Sequence, residues 1–221
     1  PADLLLLPQW VVPVESEGTL ADHAVAVQDG RILDVLPADA AQARYDAAQT
    51  IALPGQALIP GLVNLHGHAA MSLMRGFADE LPLMAWLNGR IWPAEKKHAS
   101  DAFVRDGTLL AAAEMLAGGI TCCNDMYFFP QAASEAFLQA GMRAMLGILV
   151  LELPSAYATD ADDYLARGLA TRDALKEEPL LGFAFAPHAP YTIADATFGR
   201  INTLAEQLGL PLHTHIHETA D

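Results

Sequence analysis

His66-Gly67-His68 closes the apolar run Ala57-Leu58-Ile59-Pro60-Gly61-Leu62-Val63-Asn64-Leu65. The run reads as a buried strand interrupted by a Pro-Gly kink. Residues i and i+2 of a strand share a face. Two imidazoles therefore leave the strand end side by side, as a divalent metal requires. A second cluster, His213-Thr214-His215-Ile216-His217-Glu218, lies far along the chain. Period two puts His213, His215 and His217 on one face. Three histidines at the end of one strand are costly as plain core residues unless each finds a partner. At least one of them is expected to complete the site begun by His66 and His68, and spacing alone does not choose which. Glu218 is then a carboxylate beside a metal, placed for general acid–base work. His188, in Ala186-Pro187-His188-Ala189-Pro190-Tyr191, ends another strand between prolines that stiffen the backbone. It reads as a ligand, a substrate hydrogen-bonder or a turn histidine.

These groups need a scaffold, and the chain changes rhythm to provide one. Residues 1–57 read as all-β, with strands at Trp10-Val11-Val12, Ala24–Val27, Ile32–Leu36 and Thr50–Leu53. Asp29-Gly30 between two of them is a hairpin signal. From residue 58 apolar strands alternate with helical stretches. Ser100-Asp101 offers an N-cap for a helix running to Gly118-Gly119. Further helices are expected over 134–140, 162–176 and 194–208. The strands between and after them are expected at Ile120–Asn124, Arg143–Leu151, Leu180–Ala186 and Leu210–Ile216. Repeated βα favours a parallel sheet or barrel. Polar residues gather at the C-terminal ends of the strands, where both barrels and open doubly wound sheets keep their catalytic groups. Five such strands do not close an eight-stranded barrel, so the sheet is open or its last strands lie elsewhere.

Composition narrows the function. The 221 residues are 52% hydrophobic and 18% charged, ample for a globular core. A net charge of −15 argues against nucleic-acid backbones and anionic membranes as partners. The only cysteines, Cys122 and Cys123, are adjacent and cannot build a disulfide framework. They read as buried free thiols, and a reducing, cytoplasmic compartment follows. Leu4–Leu7 is too short for a signal peptide or membrane span.

Taken together, these stretches resemble a known family. Pro60-Gly61-Leu62-Val63-Asn64-Leu65-His66-Gly67-His68 is similar to the first-strand signature of the amidohydrolase superfamily. Pro187-His188-Ala189-Pro190-Tyr191-Thr192 and His213-Thr214-His215-Ile216-His217-Glu218-Thr219 resemble later strands of its deaminase branch. Met74-Arg75-Gly76, Leu81–Leu87, Trp92-Pro93-Ala94-Glu95 and Asn124-Asp125-Met126-Tyr127-Phe128 resemble the 5′-methylthioadenosine/S-adenosylhomocysteine deaminases within it. The resemblance covers essentially the whole chain.

The resemblance implies an α/β, metal-dependent (β/α)8 TIM-type barrel, of which about the first five strands are present. Residues 58–221 would be its first half, and residues 1–57 the N-terminal part of a small β-sandwich domain. His66, His68 and His215 match metal ligands for one divalent ion, Zn²⁺ by expectation, and His217 is then not a ligand. Glu218 matches the proton-shuttling glutamate. Glu95 resembles a glutamate that binds ribose hydroxyls, and His188 a substrate-contacting histidine. Trp86 and Trp92 are expected to wall the pocket or to pack in the core. The implied reaction is hydrolytic deamination of adenine at C6, with a small-molecule nucleoside as partner and a homo-oligomer left open. A cytidine-deaminase type of zinc site is disfavoured because the chain lacks its C-x-x-C pair.

Some parts of the family pattern have no counterpart here. A further histidine after the fifth strand and a metal-binding, catalytic aspartate at the end of the eighth are expected beyond Asp221, in a protein about twice as long. Arginines that some members use for the homocysteine carboxylate have no clear match, and Ile148 stands where one is sought. The runner-up is another amidohydrolase, a guanine or cytosine deaminase or a triazine-type chlorohydrolase, for which Glu95 would be idle. A non-catalytic scaffold of the same fold has no need for His66, His68, His215 and Glu218 together.

Overall fold

The computed structural model describes residues 1–218. The chain divides into two compact units, Pro1–Gly61 and the chain from Leu62 onward. The first unit holds β1 (Ala2–Val11), β2 (Leu20–Ala21), β3 (His23–Gln28), β4 (Arg31–Pro37), α1 (Ala38–Arg44) and β5 (Ala47–Leu58). The five strands form one mixed sheet in which β1 pairs antiparallel with β2 and β3 and parallel with β5. Asp29 and Gly30 both take positive φ, 50° and 71°, so the expected tight turn joins β3 to β4. Leu5, Ala24, Ala26 and Ala41 form its small core. The apolar run Leu4–Leu7, left unassigned from sequence, is the middle of β1.

The second unit follows a βα rhythm. It begins with β6 (Leu62–Gly67), a 3-10 turn over Ala69–Met74, α2 (Leu83–Trp86), a π-helical turn over Leu87–Ile91, and α3 (Trp92–His98). Then come α4 (Asp101–Ala117), β7 (Ile120–Asp125), α5 (Pro130–Ala140), β8 (Arg143–Val150), α6 (Ala161–Leu175), β9 (Leu181–Pro187) and α7 (Asp195–Leu208). The strands lie in the order β6-β7-β8-β9, all parallel.

Local chemistry sets the helix ends. Ser100 accepts from Phe103 N and Asp160 from Asp163 N, capping α4 and α6. Gly141 and Gly209 stop α5 and α7 in the left-handed region. Pro130 occupies the first turn of α5, which therefore starts before the expected Ser134. Ala144, Leu146, Ile148, Leu149 and Val150 of β8 are all buried, as suits a strand covered on both faces. No described helix is long and apolar enough to cross a membrane.

Three expectations need correction. Residues 1–57 are not all-β: α1 runs over Ala38–Arg44, where Ala and Gln favour a helix, and buries Ala41. The run 57–65 is not one buried strand. β5 ends at Leu58 and β6 begins at Leu62, in different units. Leu62, Val63 and Leu65 are 54%, 55% and 76% exposed, because β6 is an edge of the described sheet. Nor is Leu210–Ile216 a full fifth strand. It makes a single parallel bridge, Leu212 to Phe185, flanked by Phe185 N donating to Pro211 O and His213 N to Phe185 O. Beyond it only His215 N donates to His188 O, so four strands and one bridge stand where about five strands were expected. His217 has φ 57°, which ends the period-two alternation before it can join a ladder with His213 and His215.

Candidate active site

The C-terminal ends of the parallel strands converge. His66 and His68 sit at the end of β6, and His215 lies beyond the bridge next to β9. Four interstrand steps separate these segments, about 19 Å in a flat sheet. Yet His215 Nε2 lies 3.2 Å from His66 Nε2 and 3.3 Å from His68 Nε2. The sheet must therefore curl until its first and last members face each other.

Hydrogen bonds fix what the rings present. His68 Nδ1 lies 2.6 Å from Met126 O, and His215 Nδ1 lies 2.7 Å from His188 O. A carbonyl only accepts, so both Nδ1 atoms carry the proton and both Nε2 atoms are bare in the neutral rings. Two bare nitrogens at 3.3 Å cannot share a hydrogen bond, whereas a cation between them satisfies both. Nitrogens about 2.0–2.1 Å from zinc in a tetrahedron are about 3.3 Å apart, so both separations from His215 fit a borderline-soft divalent ion, and the three ligand atoms lie within 4.8 Å of one another. The chemistry favours neutral rings. Burial, opposed by the Met126 carbonyl, pulls the His68 pKa down to about 4. Partial burial and the neighbouring His215 lower that of His66. His66, His68 and His215 are the histidine cluster among the described residues that could hold such an ion.

The other candidates lie around this point. His188 touches the His215 ring, with centroids 4.8 Å apart, and its Nδ1 lies 3.0 Å from Thr192 Oγ1. Burial lowers its pKa to about 4. His213 faces away, toward Asn124 Nδ2 at 3.1 Å. Glu218 is exposed, and its Oε2 accepts from Tyr191 OH at 2.7 Å.

A cavity of about 630 Å³ opens beside the cluster, with His68, His188, His215 and Glu218 at one end and Trp86, Trp92 and Glu95 on its wall. Both tryptophans line it, and Trp86 Nε1 donates to Phe77 O. Glu95 Oε1 accepts from Tyr127 OH at 2.8 Å, and burial pushes the Glu95 pKa up to about 7. Ile148 is fully buried in the core and cannot reach the cavity.

Sequence reasoning missed Asp125, Tyr127 and Tyr191 as partners of the site. Asp125 and Tyr127 lie in the stretch that carried the family resemblance, and Tyr191 two residues past Ala189. Their partners are 27 to 56 positions away, so spacing gave no signal. Asp125 is buried, and burial, offset in part by the Ala69 amide, pushes its pKa up to about 7. Cys123 is a buried free thiol and Cys122 a half-buried one. Burial pushes the Cys123 pKa up to about 12, so it is not poised to react.

Known proteins resemble this chain in sequence and fold. The Amidohydrolase family matches residues 57–221. A Saccharophagus degradans protein named 5-methylthioadenosine/S-adenosylhomocysteine deaminase is 47% identical over 221 residues, 100% of this chain and 50% of its own length. A Teredinibacter turnerae protein of the same name is 44% identical over 220 residues, 99% of this chain and 50% of its own. The crystal structure of an adenosine deaminase from Xanthomonas campestris with bound zinc superposes with a TM-score of 0.96 at 49% identity. It too is covered over 50% of its length by 100% of this chain. The chain thus spans about half the length of the curated relatives it matches. With its parallel βα sheet and converging histidines, the chain belongs to the amidohydrolase family.

Proposed function

We propose that the full-length protein is a metal-dependent hydrolytic deaminase of the adenine ring of 5′-methylthioadenosine or S-adenosylhomocysteine, releasing ammonia and the inosine analogue. The observation that carries this reading is the convergence of three Nε2 atoms, two of them bare, at the mouth of a mostly apolar cavity with a carboxyl on its wall. The names of the relatives support the substrate class.

In this reading His66, His68 and His215 hold one divalent ion, zinc by preference. When bound, it supplies Lewis acidity that makes water a competent nucleophile near neutral pH. Glu218 carries a proton to the adenine ring nitrogen and then to the departing amine. Tyr191 occupies one Glu218 oxygen and leaves the other free for that transfer. His188, neutral and braced by Thr192, offers Nε2 to the substrate. Glu95 accepts from the ribose hydroxyls with the oxygen that Tyr127 does not use. Trp86 and Trp92 cover the apolar part of the nucleoside.

The second unit is then the first half of a (β/α)8 barrel, and the first unit part of a small β-sandwich, both completed by further chain. The doubled length of the relatives supports this. The adjacent free thiols and acidic charge support a cytoplasmic protein acting on small molecules rather than nucleic acid or membranes. Ammonia release by zinc-loaded full-length protein tests the reading. Turnover of 5′-methylthioadenosine, S-adenosylhomocysteine or adenosine, with guanine inert, is the expected result. Silence on all three with metal bound overturns it.

A further inference from the structure

One buried carboxylate plays no part in the chemistry proposed above. Asp125 ends β7 and is 2% exposed. It pairs in register with Gly67, the residue between His66 and His68. Its Oδ1 accepts from Ala69 N at 2.7 Å. Its neighbours reach the same loop. Met126 N donates to Gly67 O at 2.9 Å, Met126 O accepts from His68 Nδ1 at 2.6 Å, and Asn124 Nδ2 donates to Leu65 O at 3.0 Å. Three successive residues thus hold the chain from Leu65 to Ala69. The Met126 bonds are made by its backbone and survive a change of side chain. The Asp125 bond is made by its side chain, and it fixes the peptide that follows His68.

A hydroxyl or amide oxygen could accept from Ala69 N at less cost than a carboxylate, which is expensive to bury unpaired. Asp125 makes no ion pair among the described residues. As ligands, His66, His68 and His215 would be neutral and would bring no negative charge to a divalent ion. Groups that orient a metal's histidines from behind are part of how such centres are built.

We infer that Asp125 is a positioning residue of the metal centre: it locks the backbone after His68 through the Ala69 amide, and its charge balances the ion that His66, His68 and His215 hold. The inference rests on the metal reading of the histidine cluster.

The test is zinc affinity of the full-length protein, measured by competition with a chromophoric chelator, alongside the rise in Tm that zinc produces. Wild type should bind zinc and His66→Ala should not. Failure of wild type to bind removes the metal reading and this inference with it. Given binding by wild type, Asp125→Ala should weaken affinity about 10- to 100-fold and shrink the zinc-dependent rise in Tm. Asp125→Asn keeps an oxygen for the Ala69 amide but no charge, and should fall between wild type and Asp125→Ala. Zinc affinity of a folded Asp125→Ala protein within twofold of wild type overturns the inference. If Asp125→Ala does not fold, Asp125→Asn decides: weaker binding than wild type is expected, and equal binding overturns the role of the charge.

Discussion

The two arms that meet at the histidine cluster are built in different ways. His66 and His68 end a paired strand, and β7 grips the loop between them. His215 lies past the last bridge, where one carbonyl, His188 O, accepts from both its backbone N at 2.9 Å and its Nδ1 at 2.7 Å. The first arm is fixed by sheet geometry. The second is held through fewer bonds: His213 N donates to Phe185 O, and His188, which carries the shared oxygen, is placed by its own N donating to Val150 O at 3.2 Å and by Thr192, which accepts from Ala189 N and faces the His188 ring. The lesson is that one cluster can combine a histidine pair held by a strand ladder with a third histidine held by a few bonds at the end of a neighbouring strand.

Three changes sharpen that contrast. The largest effect should come at the end of the second arm. Glu218→Gln in the full-length protein should lower kcat about 10²- to 10⁴-fold with zinc content unchanged, as metal analysis and steady-state kinetics would show. A loss of zinc instead would mean that this arm supplies more of the metal grip than its hydrogen bonds suggest.

The first arm should break from behind. A Cβ on Gly107 of α4 would lie 2.4 Å from Ala70 O, in the turn that follows His68. Gly107→Ala must displace that turn or the helix. A loss of about 1–3 kcal/mol in urea unfolding is expected, together with weaker zinc binding. Unchanged stability would show that the first arm yields more easily than its contacts imply.

The smallest effect concerns Glu95, which belongs to neither arm. Burial raises its pKa from 4.5 to about 7, so folding disfavours its ionised form. The cost is absent below the unfolded value and complete above about pH 7. Glu95→Gln should therefore raise Tm at pH 8, lose that gain below pH 4.5, and raise KM for nucleosides while zinc affinity holds. The KM of wild type should likewise climb as pH falls below 7 and Glu95 gains its proton. A Tm change of the same size at both pH values would refute the burial argument.

Much of this was legible in the residues. The β-to-βα change of rhythm, the Asp29-Gly30 hairpin and the Ser100 cap are local features, and local chemistry decides them. That His66 and His68 would meet a histidine of the second cluster was legible from the two clusters together, although choosing His215 over His213 and His217 needed the family resemblance. What stayed hidden depends on distant partners. Asp125 looks like any polar residue ending a strand until Ala69 is folded against it. The exposure of Leu65 was unreadable because apolarity reports what a face can bury, not whether a neighbour covers it. The final strand misled for a related reason: alternating histidines suggest a ladder, but only Leu212 forms a bridge, and two backbone bonds, from His213 N and His215 N, follow it.

The closeness of His66 and His215 has a mechanical side. They stand at opposite ends of the strand order, so an ion held by both acts as a clasp across the open edge of a curled sheet. Uncurling must first release it. At metal concentrations a hundredfold above Kd, the clasp adds about 2.7 kcal/mol against unfolding, a sizeable part of the 5–15 kcal/mol typical of a native domain. The ion that would activate water would also keep its own donors within reach of one another, and its removal would loosen the cavity beside them.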